Sequence, residues 1–170
     1  NFIKLEKADC DYLFEKNVIT TANPVSCGRL SKVIFKYVNQ KGDIRNDGEL
    51  VVLDVLAPKV ETLMKNLFER KFVIFSARPI DEYSGDDEAS MSDNNTSAFN
   101  GRAITGASNW SIHAYGAAID LNPVQNPYID IQEDGTAKIL PQESARYAVN
   151  RLNHRPGKTS RVGMAEEVVD

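Results

Sequence analysis

WSIHAYGAAID (residues 110–120) is the stretch that says most about the fold, because it holds a histidine and an aspartate seven residues apart around a glycine. A neutral imidazole and a carboxylate are both good zinc ligands. A catalytic zinc usually takes three protein ligands and leaves a fourth position for water. His113 and Asp120 are therefore candidate metal ligands, and they supply two of the three that such a site needs.

The glycine between the two residues shapes the local geometry. Gly116 allows a turn conformation that a side chain would resist, and residues 117–121 then have the pattern of a short strand. In that strand the apolar neighbours of Asp120 point into a core, so Asp120 looks back toward the turn that carries His113. A second interpretation stays open: a surface turn with a solvated histidine, then a buried strand whose aspartate caps the next loop.

The residues around the pair extend this pattern. They comprise Ser-x-His-x-x-Gly-x-Ala-x-Asp at Ser111–Asp120, the run Asp86–Met91, the segment Asn94–Asn100 followed by Arg102, and Ile119–Tyr128. Together they resemble the zinc peptidases that cut bacterial cell-wall stem peptides. These are D-alanyl-D-alanine carboxypeptidases and L-alanyl-D-glutamate endopeptidases, related in structure to lysostaphin-type enzymes and the hedgehog signalling domain. The likeness covers roughly residues 24–170.

The hairpin signals and the helix predicted at residues 58–70 indicate a single α+β domain, in which a small, mainly antiparallel sheet carries the site on one face, with helices on the other side and at the ends. The resemblance implies zinc as the cofactor, held by His113 and Asp120, and hydrolysis of peptide bonds in peptidoglycan stem peptides. Such a substrate lies outside the cytoplasm. We therefore expect an exported protein, whether periplasmic, secreted or attached to the cell wall.

The family uses an arginine upstream of the histidine motif, and a guanidinium suits a free carboxylate or a developing oxyanion. Arg102 is the first candidate because it sits in the matching Phe-Asn-x-Arg segment, and Arg78 is the second. Either could instead form a surface salt bridge. Ser111 and Tyr115 flank the histidine: Ser111 could bond the backbone of the turn or a ligand, and Tyr115 could line the cleft.

Two features depart from the family pattern. Gly101 stands where a cysteine often precedes the arginine, which excludes a family disulfide there. The family also places its third zinc ligand, a histidine, in a C-terminal segment with a nearby acidic general base. The sequence ends at Asp170, in what resembles the helix before that segment, and its other histidine, His154, is interpreted as a loop residue. We therefore expect weak zinc binding and little activity from these 170 residues alone.

Two other functions remain open. One is a non-catalytic relative that keeps the fold and binds cell-wall peptide with a degenerate metal site. The other is a structural domain in which His113 and Asp120 simply hydrogen-bond to each other.

The composition is that of one globular unit, with 42% hydrophobic and 26% charged residues in 170. We divide it into an N-terminal arm, residues 1–26, and a metallopeptidase-like catalytic domain, residues 27–170. A net charge of -4 without a Lys/Arg cluster argues against nucleic acid, and no run approaches the ~20 apolar residues of a membrane span. We expect a monomer. The sequence begins Asn1-Phe2 without a signal peptide to read, as in a processed product.

The two cysteines, Cys10 and Cys27, allow one disulfide or two thiols. Export favours the disulfide, which would tie the arm to the body.

Periodicity predicts the main elements. We expect an irregular arm to residue 26, a hairpin of strands 32–38 and 48–55 with a long loop, a helix at 58–70 and a strand at 72–76. Residues 80–100 show no pattern and are expected to form a structureless loop over the cleft. Its acidic trio 86–88 suits a turn or helix N-terminus better than a cation site. A hairpin follows at 129–140, then helices at 143–152 and from 164 onward.

Overall fold

The computed structural model describes residues 1–102, 109–152 and 161–168, and the side chains of residues 149–152 are outside the description. The fold is α+β, as predicted. The elements are β1 (Phe2–Lys4), α1 (Lys7–Glu15), β2 (Leu30–Val38), β3 (Ile44–Leu53), α2 (Ala57–Glu69), β4 (Ser76–Ala77), α3 (Asp87–Ser92), β5 (Asn95–Thr96), β6 (Tyr128–Ile131), β7 (Ala137–Leu140) and α4 (Ala145–Leu152). Strands β1, β2 and β3 form an antiparallel sheet in that order, β4 and β5 pair in parallel, and β6 and β7 form a hairpin.

The β2–β3 hairpin is the centre of the sheet, and its register runs from Leu30 opposite Leu53 to Val38 opposite Ile44. The predicted hairpin is confirmed, but its loop is shorter than expected. The Asn39 side-chain oxygen accepts hydrogen bonds from the backbone of Lys41 and Asp43, each 2.9 Å long, and so closes a tight turn. The first residues of β3 are exposed on both faces, which is why they show no apolar alternation.

One face of the sheet packs against α2. The predicted helix is confirmed, with Pro58 in its first turn. Its buried stripe, which includes Val60, Met64 and Leu67, meets the sheet residues Val33 and Leu50 in one apolar core. This is the larger of two apolar clusters formed by the described residues.

The opposite face is covered by the N-terminal segment, which is not the irregular arm that we expected. Strand β1 pairs with β2, and α1 buries Leu13 in a second core together with Leu30 and Val51. The predicted disulfide is confirmed, because Cys10 and Cys27 are bonded. Strand β1 is three exposed residues long and α1 buries one residue, so neither leaves a clear periodic signal in the sequence.

The expected structureless loop at residues 80–100 is wrong, because it contains a 3₁₀ turn at Ile80–Tyr83, helix α3 and strand β5. These pieces are too short for periodicity, and buried asparagines hold them. The side chain of Asn95 accepts from the Arg78 backbone at 2.8 Å and donates to the Ser90 hydroxyl at 3.1 Å.

Three other predicted elements are reduced in the structure. Residues 72–76 form one bridge, between Val38 and Val73, before β4 begins. Residues 117–121 likewise form one bridge, between Ser97 and Asp120, rather than a strand. The last predicted helix begins as a 3₁₀ turn at Ala165–Glu167, and its final two residues lie outside the described part of the chain.

The helix predicted at 143–152 is confirmed, with a 3₁₀ first turn at Gln142–Ser144 before α4. The hairpin predicted at 129–140 is confirmed as β6–β7.

No helix within the described ranges is both long and apolar enough to cross a membrane.

Candidate metal centre

His113 is carried by a 3₁₀ turn, Ile112–Tyr115, that is fixed at both ends. At its start the Ser111 hydroxyl accepts a 3.2 Å hydrogen bond from the His113 backbone, which is one of the two roles expected of this serine. At its end Gly116 has φ +64°, and a Cβ there would lie 2.5 Å from the Leu53 nitrogen. Only glycine fits this left-handed position against the end of β3, where the Gly116 carbonyl also accepts from Leu53 at 3.0 Å.

The imidazole of His113 has a defined orientation. Its Nδ1 lies 2.6 Å from the carbonyl oxygen of Ala98, and a carbonyl can only accept, so Nδ1 carries the proton. The other ring nitrogen, Nε2, faces the Asp120 carboxylate, 3.5 Å from Oδ2, and it is the ring atom that can bind a metal in this tautomer of the neutral imidazole. The His113 side chain is 16% exposed, so this edge of the ring is at a partly buried site rather than in free solvent. The solvated-histidine interpretation is therefore wrong.

Backbone hydrogen bonds of Asp120 hold its carboxylate opposite the His113 ring. Asp120 donates to the Ser97 carbonyl at 2.8 Å and accepts from the Ser97 nitrogen at 3.1 Å, while its neighbours Ile119 and Leu121 pack against the larger core. Burial raises the pKa of the Asp120 carboxyl above its usual value, and attraction to His113 and Arg102 acts in the opposite direction. The carboxylate and the imidazole thus face each other as the alternation pattern indicated.

One four-residue segment, Ser97–Asn100, holds both candidate ligands. Ser97 pairs with Asp120, the Ala98 carbonyl accepts from the His113 ring, and the Asn100 nitrogen donates to the His113 carbonyl at 3.2 Å. The segment is itself anchored, because the Phe99 nitrogen donates to Val51 of β3 at 2.9 Å. Ala98 lies in one apolar core and Phe99 in the other, so the site is supported from both faces of the sheet.

The separation of the two ligand atoms suits a shared metal ion. Two ligands bound at about 2 Å in tetrahedral geometry stand about 3.3 Å apart, close to the 3.5 Å found between His113 Nε2 and Asp120 Oδ2. Across residues 1–102, 109–152 and 161–168, no third His, Cys, Asp or Glu joins the pair in a group able to hold a metal. His154, interpreted from sequence as a loop residue, lies outside these residues.

Arg102 is brought to the site and is paired there. Its Nη2 contacts Asp87 of α3, and its charge is near enough to lower the pKa of Asp120. The glycine before it is required, since a Cβ on Gly101 would lie 2.2 Å from the carbonyl oxygen of Val18. The N-terminal segment therefore occupies the space that a cysteine at position 101 would need.

Arg78 lies in a different network. Its guanidinium stacks over the Tyr83 ring at 5.0 Å and pairs with Asp93 and Glu82, and within the described chain none of these contacts includes the His–Asp pair. This matches the surface-salt-bridge alternative for Arg78. Tyr115, expected to line the cleft, ends the histidine turn and is 42% exposed.

The acidic trio is a helix N-terminus, as the sequence favoured. Asp86 caps α3 by accepting from the Ala89 nitrogen at 3.0 Å, and Asp87 pairs with Arg102. The sequence did not predict this link between α3 and the site.

Sequence reasoning also missed Asn122, which is fully buried two residues after Asp120. Its amide donates to the carbonyls of Val73 at 2.8 Å and Gly163 at 3.0 Å, and its oxygen accepts from Phe75 at 3.0 Å. It therefore joins three chain segments behind the site. The sequence did contain a signal for this residue, because Asn-Pro pairs such as those after Asp120 mark turns. Asparagine also tolerates a positive φ, and Asn122 has φ 42°.

Searches of curated proteins and of solved structures gave no significant match. A family model described as D-alanyl-D-alanine carboxypeptidase matches residues 105–169, the part of the chain that carries His113, Asp120 and Asn122. Residues 105–169 are therefore similar to the D-alanyl-D-alanine carboxypeptidase family of peptidases.

Proposed function

We propose that this protein is a zinc-dependent peptidase that hydrolyses peptide bonds in bacterial cell-wall stem peptides and removes the terminal residue of a D-alanyl-D-alanine end. The observation that carries the proposal is the geometry of His113, whose Nε2 stands 3.5 Å from Asp120 Oδ2 while its Nδ1 is held by the Ala98 carbonyl. The family match over residues 105–169 supports the peptidase class.

The residues fit zinc by the chemistry of their donors. The Ala98 carbonyl selects the tautomer in which Nε2 can bind a metal, and it orients the ring toward Asp120. A zinc ion bound here would polarise a substrate carbonyl and lower the pKa of a bound water. A catalytic zinc usually takes three protein ligands, so the proposal calls for a third ligand outside the described residues.

Arg102 supports the carboxypeptidase form of the proposal. A guanidinium binds a carboxylate in two-point fashion, and the last residue of a D-alanyl-D-alanine end carries a free carboxylate. The positive charge of Arg102 acts to lower the pKa of the Asp120 carboxyl, so the guanidinium lies close to the His113–Asp120 pair.

The disulfide between Cys10 and Cys27 supports an exported protein, because such bonds persist in oxidising compartments. We therefore propose a periplasmic, secreted or cell-wall location, where stem peptides are found.

The test is cleavage of a stem pentapeptide ending in D-Ala-D-Ala by the full-length product of the gene, with zinc, followed by mass spectrometry. We expect loss of one C-terminal alanine, and loss of this activity in His113→Ala. Glu88→Gln is the matched control, since it changes an exposed carboxylate of α3 and should leave the rate unchanged. Cleavage at the L-Ala bond would contradict the carboxypeptidase form.

A second candidate is a non-catalytic relative that binds cell-wall peptide. It is favoured by the absence of a third metal donor beside the pair among the described residues. An intact pentapeptide in the cleavage assay, together with bound zinc and saturable peptide binding, would support this candidate over the peptidase.

A further inference from the structure

Asp87 links helix α3 to the candidate site. Its carboxylate contacts Arg102 Nη2 through one oxygen and accepts a 3.4 Å hydrogen bond from the Asn100 side chain through the other. The Asp87 side chain is 14% exposed, whereas that of Arg102 is 34% exposed. A charge-assisted hydrogen bond at such a partly buried position is stronger and better defined than a solvated surface pair.

The position of Asp87 is set by α3 and by the Asn100 side chain. Asp86 caps the helix through Ala89, and the fully buried Ser90 accepts from the side chain of Asn95 at 3.1 Å. The carbonyl of Gly85, just before the helix, also accepts from the Asn100 side chain at 3.3 Å. Asp87 is therefore a fixed point from which a longer side chain can be held.

An arginine needs such a partner to bind a ligand in one orientation. Its side chain has several rotatable bonds, and fixing them costs conformational entropy at the moment of binding unless a contact has already fixed them. The Asp87 contact fixes one nitrogen of the Arg102 guanidinium and so orients the plane of the group.

We propose that Asp87 is a positioning residue for the peptidase reaction: by holding Arg102, it sets the direction from which the guanidinium meets the C-terminal carboxylate of the substrate. This inference rests on the proposed function. Asp87 acts through Arg102, so its effect belongs to substrate binding more than to the chemical step, and it applies to substrates that carry the carboxylate.

The test compares Asp87→Asn with wild type and with Glu88→Gln, all as full-length zinc-loaded protein, on pentapeptides ending in D-Ala-D-Ala with a free carboxylate or an amide. For the carboxylate substrate we expect Asp87→Asn to raise KM about tenfold with kcat changed less than about threefold, which is the pattern of lost uniform binding. For the amide substrate we expect almost no change. Asp87→Glu should recover part of the lost binding, and zinc content should stay at the wild-type level.

A double variant separates this role from general support of the fold. In an Arg102→Ala background, Asp87→Asn should have no further effect, because the residue through which it acts is absent. Equal losses on both substrates, or an additional loss in that background, would overturn the inference, as would kinetics of Asp87→Asn and Asp87→Glu that match those of Glu88→Gln. A wild-type protein that binds zinc but cleaves neither peptide would overturn the proposed function and this inference with it.

Discussion

At the scale of single residues, the site depends on a few positions with no chemical role of their own. The Ala98 carbonyl chooses the tautomer of His113, and Gly116 lets the histidine turn lie against β3. The sequence predicted the pairing of His113 with Asp120 and the turn at Gly116, because all three residues belong to one motif of fixed spacing. It could not predict that Asp87 meets Arg102 or that Asn122 joins three segments, since those contacts join parts of the chain distant in sequence.

Gly116→Ala should destabilise the fold strongly. The substitution forces a side chain into a left-handed conformation and within 2.5 Å of the Leu53 nitrogen, so we expect a loss of about 3 kcal/mol in the free energy of unfolding. Gly135→Ala is the matched control, because that glycine has φ +82° with nothing within 4 Å and should lose about 1 kcal/mol. Urea unfolding of both variants measures the difference, and equal losses would show that the close approach at β3 is unimportant.

At the scale of elements, long periodic segments were predictable and short ones were not. Helix α2 and the β2–β3 hairpin have enough residues to show an apolar stripe or an alternation. Strand β1, helix α3 and strand β5 are short. Hydrogen bonds between side chains and the backbone, at Asp86 and Asn95, help to hold α3 and β5 in place of periodic packing. The sequence shows that the polar residues are present, but it does not show which groups they bond.

Helix α1 offers a pH test at this scale. The Glu6 backbone and the Lys32 ammonium, 2.9 Å away, hold the pKa of Asp9 below its usual value. A lowered folded-state pKa means that Asp9 stabilises the fold above its unfolded pKa of about 3.9, and that this contribution is lost as the pH falls through the folded value. We expect Asp9→Asn to be less stable than wild type at pH 6, and the two stabilities to converge as the pH falls through the lowered folded-state pKa of Asp9. Thermal unfolding across this range measures it, and a gap that stays constant with pH would contradict the assignment.

At the scale of the whole molecule, the sheet has an apolar core on each face, and the segment Ser97–Asn100 joins both cores to the site. The fold class was predictable from the sequence, because the hairpin signals and the periodic helix at residues 58–70 indicated an α+β domain. The sequence did not predict that the first 26 residues cover the second face, since they have little periodicity of their own. The disulfide between Cys10 and Cys27 supplies part of that missing order.

Removing this disulfide should therefore weaken the second core. Closing a loop across 17 positions restricts the unfolded chain, so we expect Cys10→Ala/Cys27→Ala to lose about 3 kcal/mol in the free energy of unfolding. The wild-type protein should become as unstable as this variant when a reductant is added, and the variant itself should not respond. A wild-type protein whose denaturation curve is unchanged by reductant would contradict this role.

Zinc binding by His113 and Asp120 is the central claim, and zinc content measures it most directly. The full-length protein would be dialysed against a buffer of fixed free zinc and assayed by elemental analysis, together with His113→Ala, Asp120→Ala and the control Glu88→Gln. We expect bound zinc in the wild type and the control and its loss in both ligand variants, because removing either ligand takes away a metal bond at the 3.5 Å pair. Equal zinc in all four proteins would contradict the assignment of the metal site.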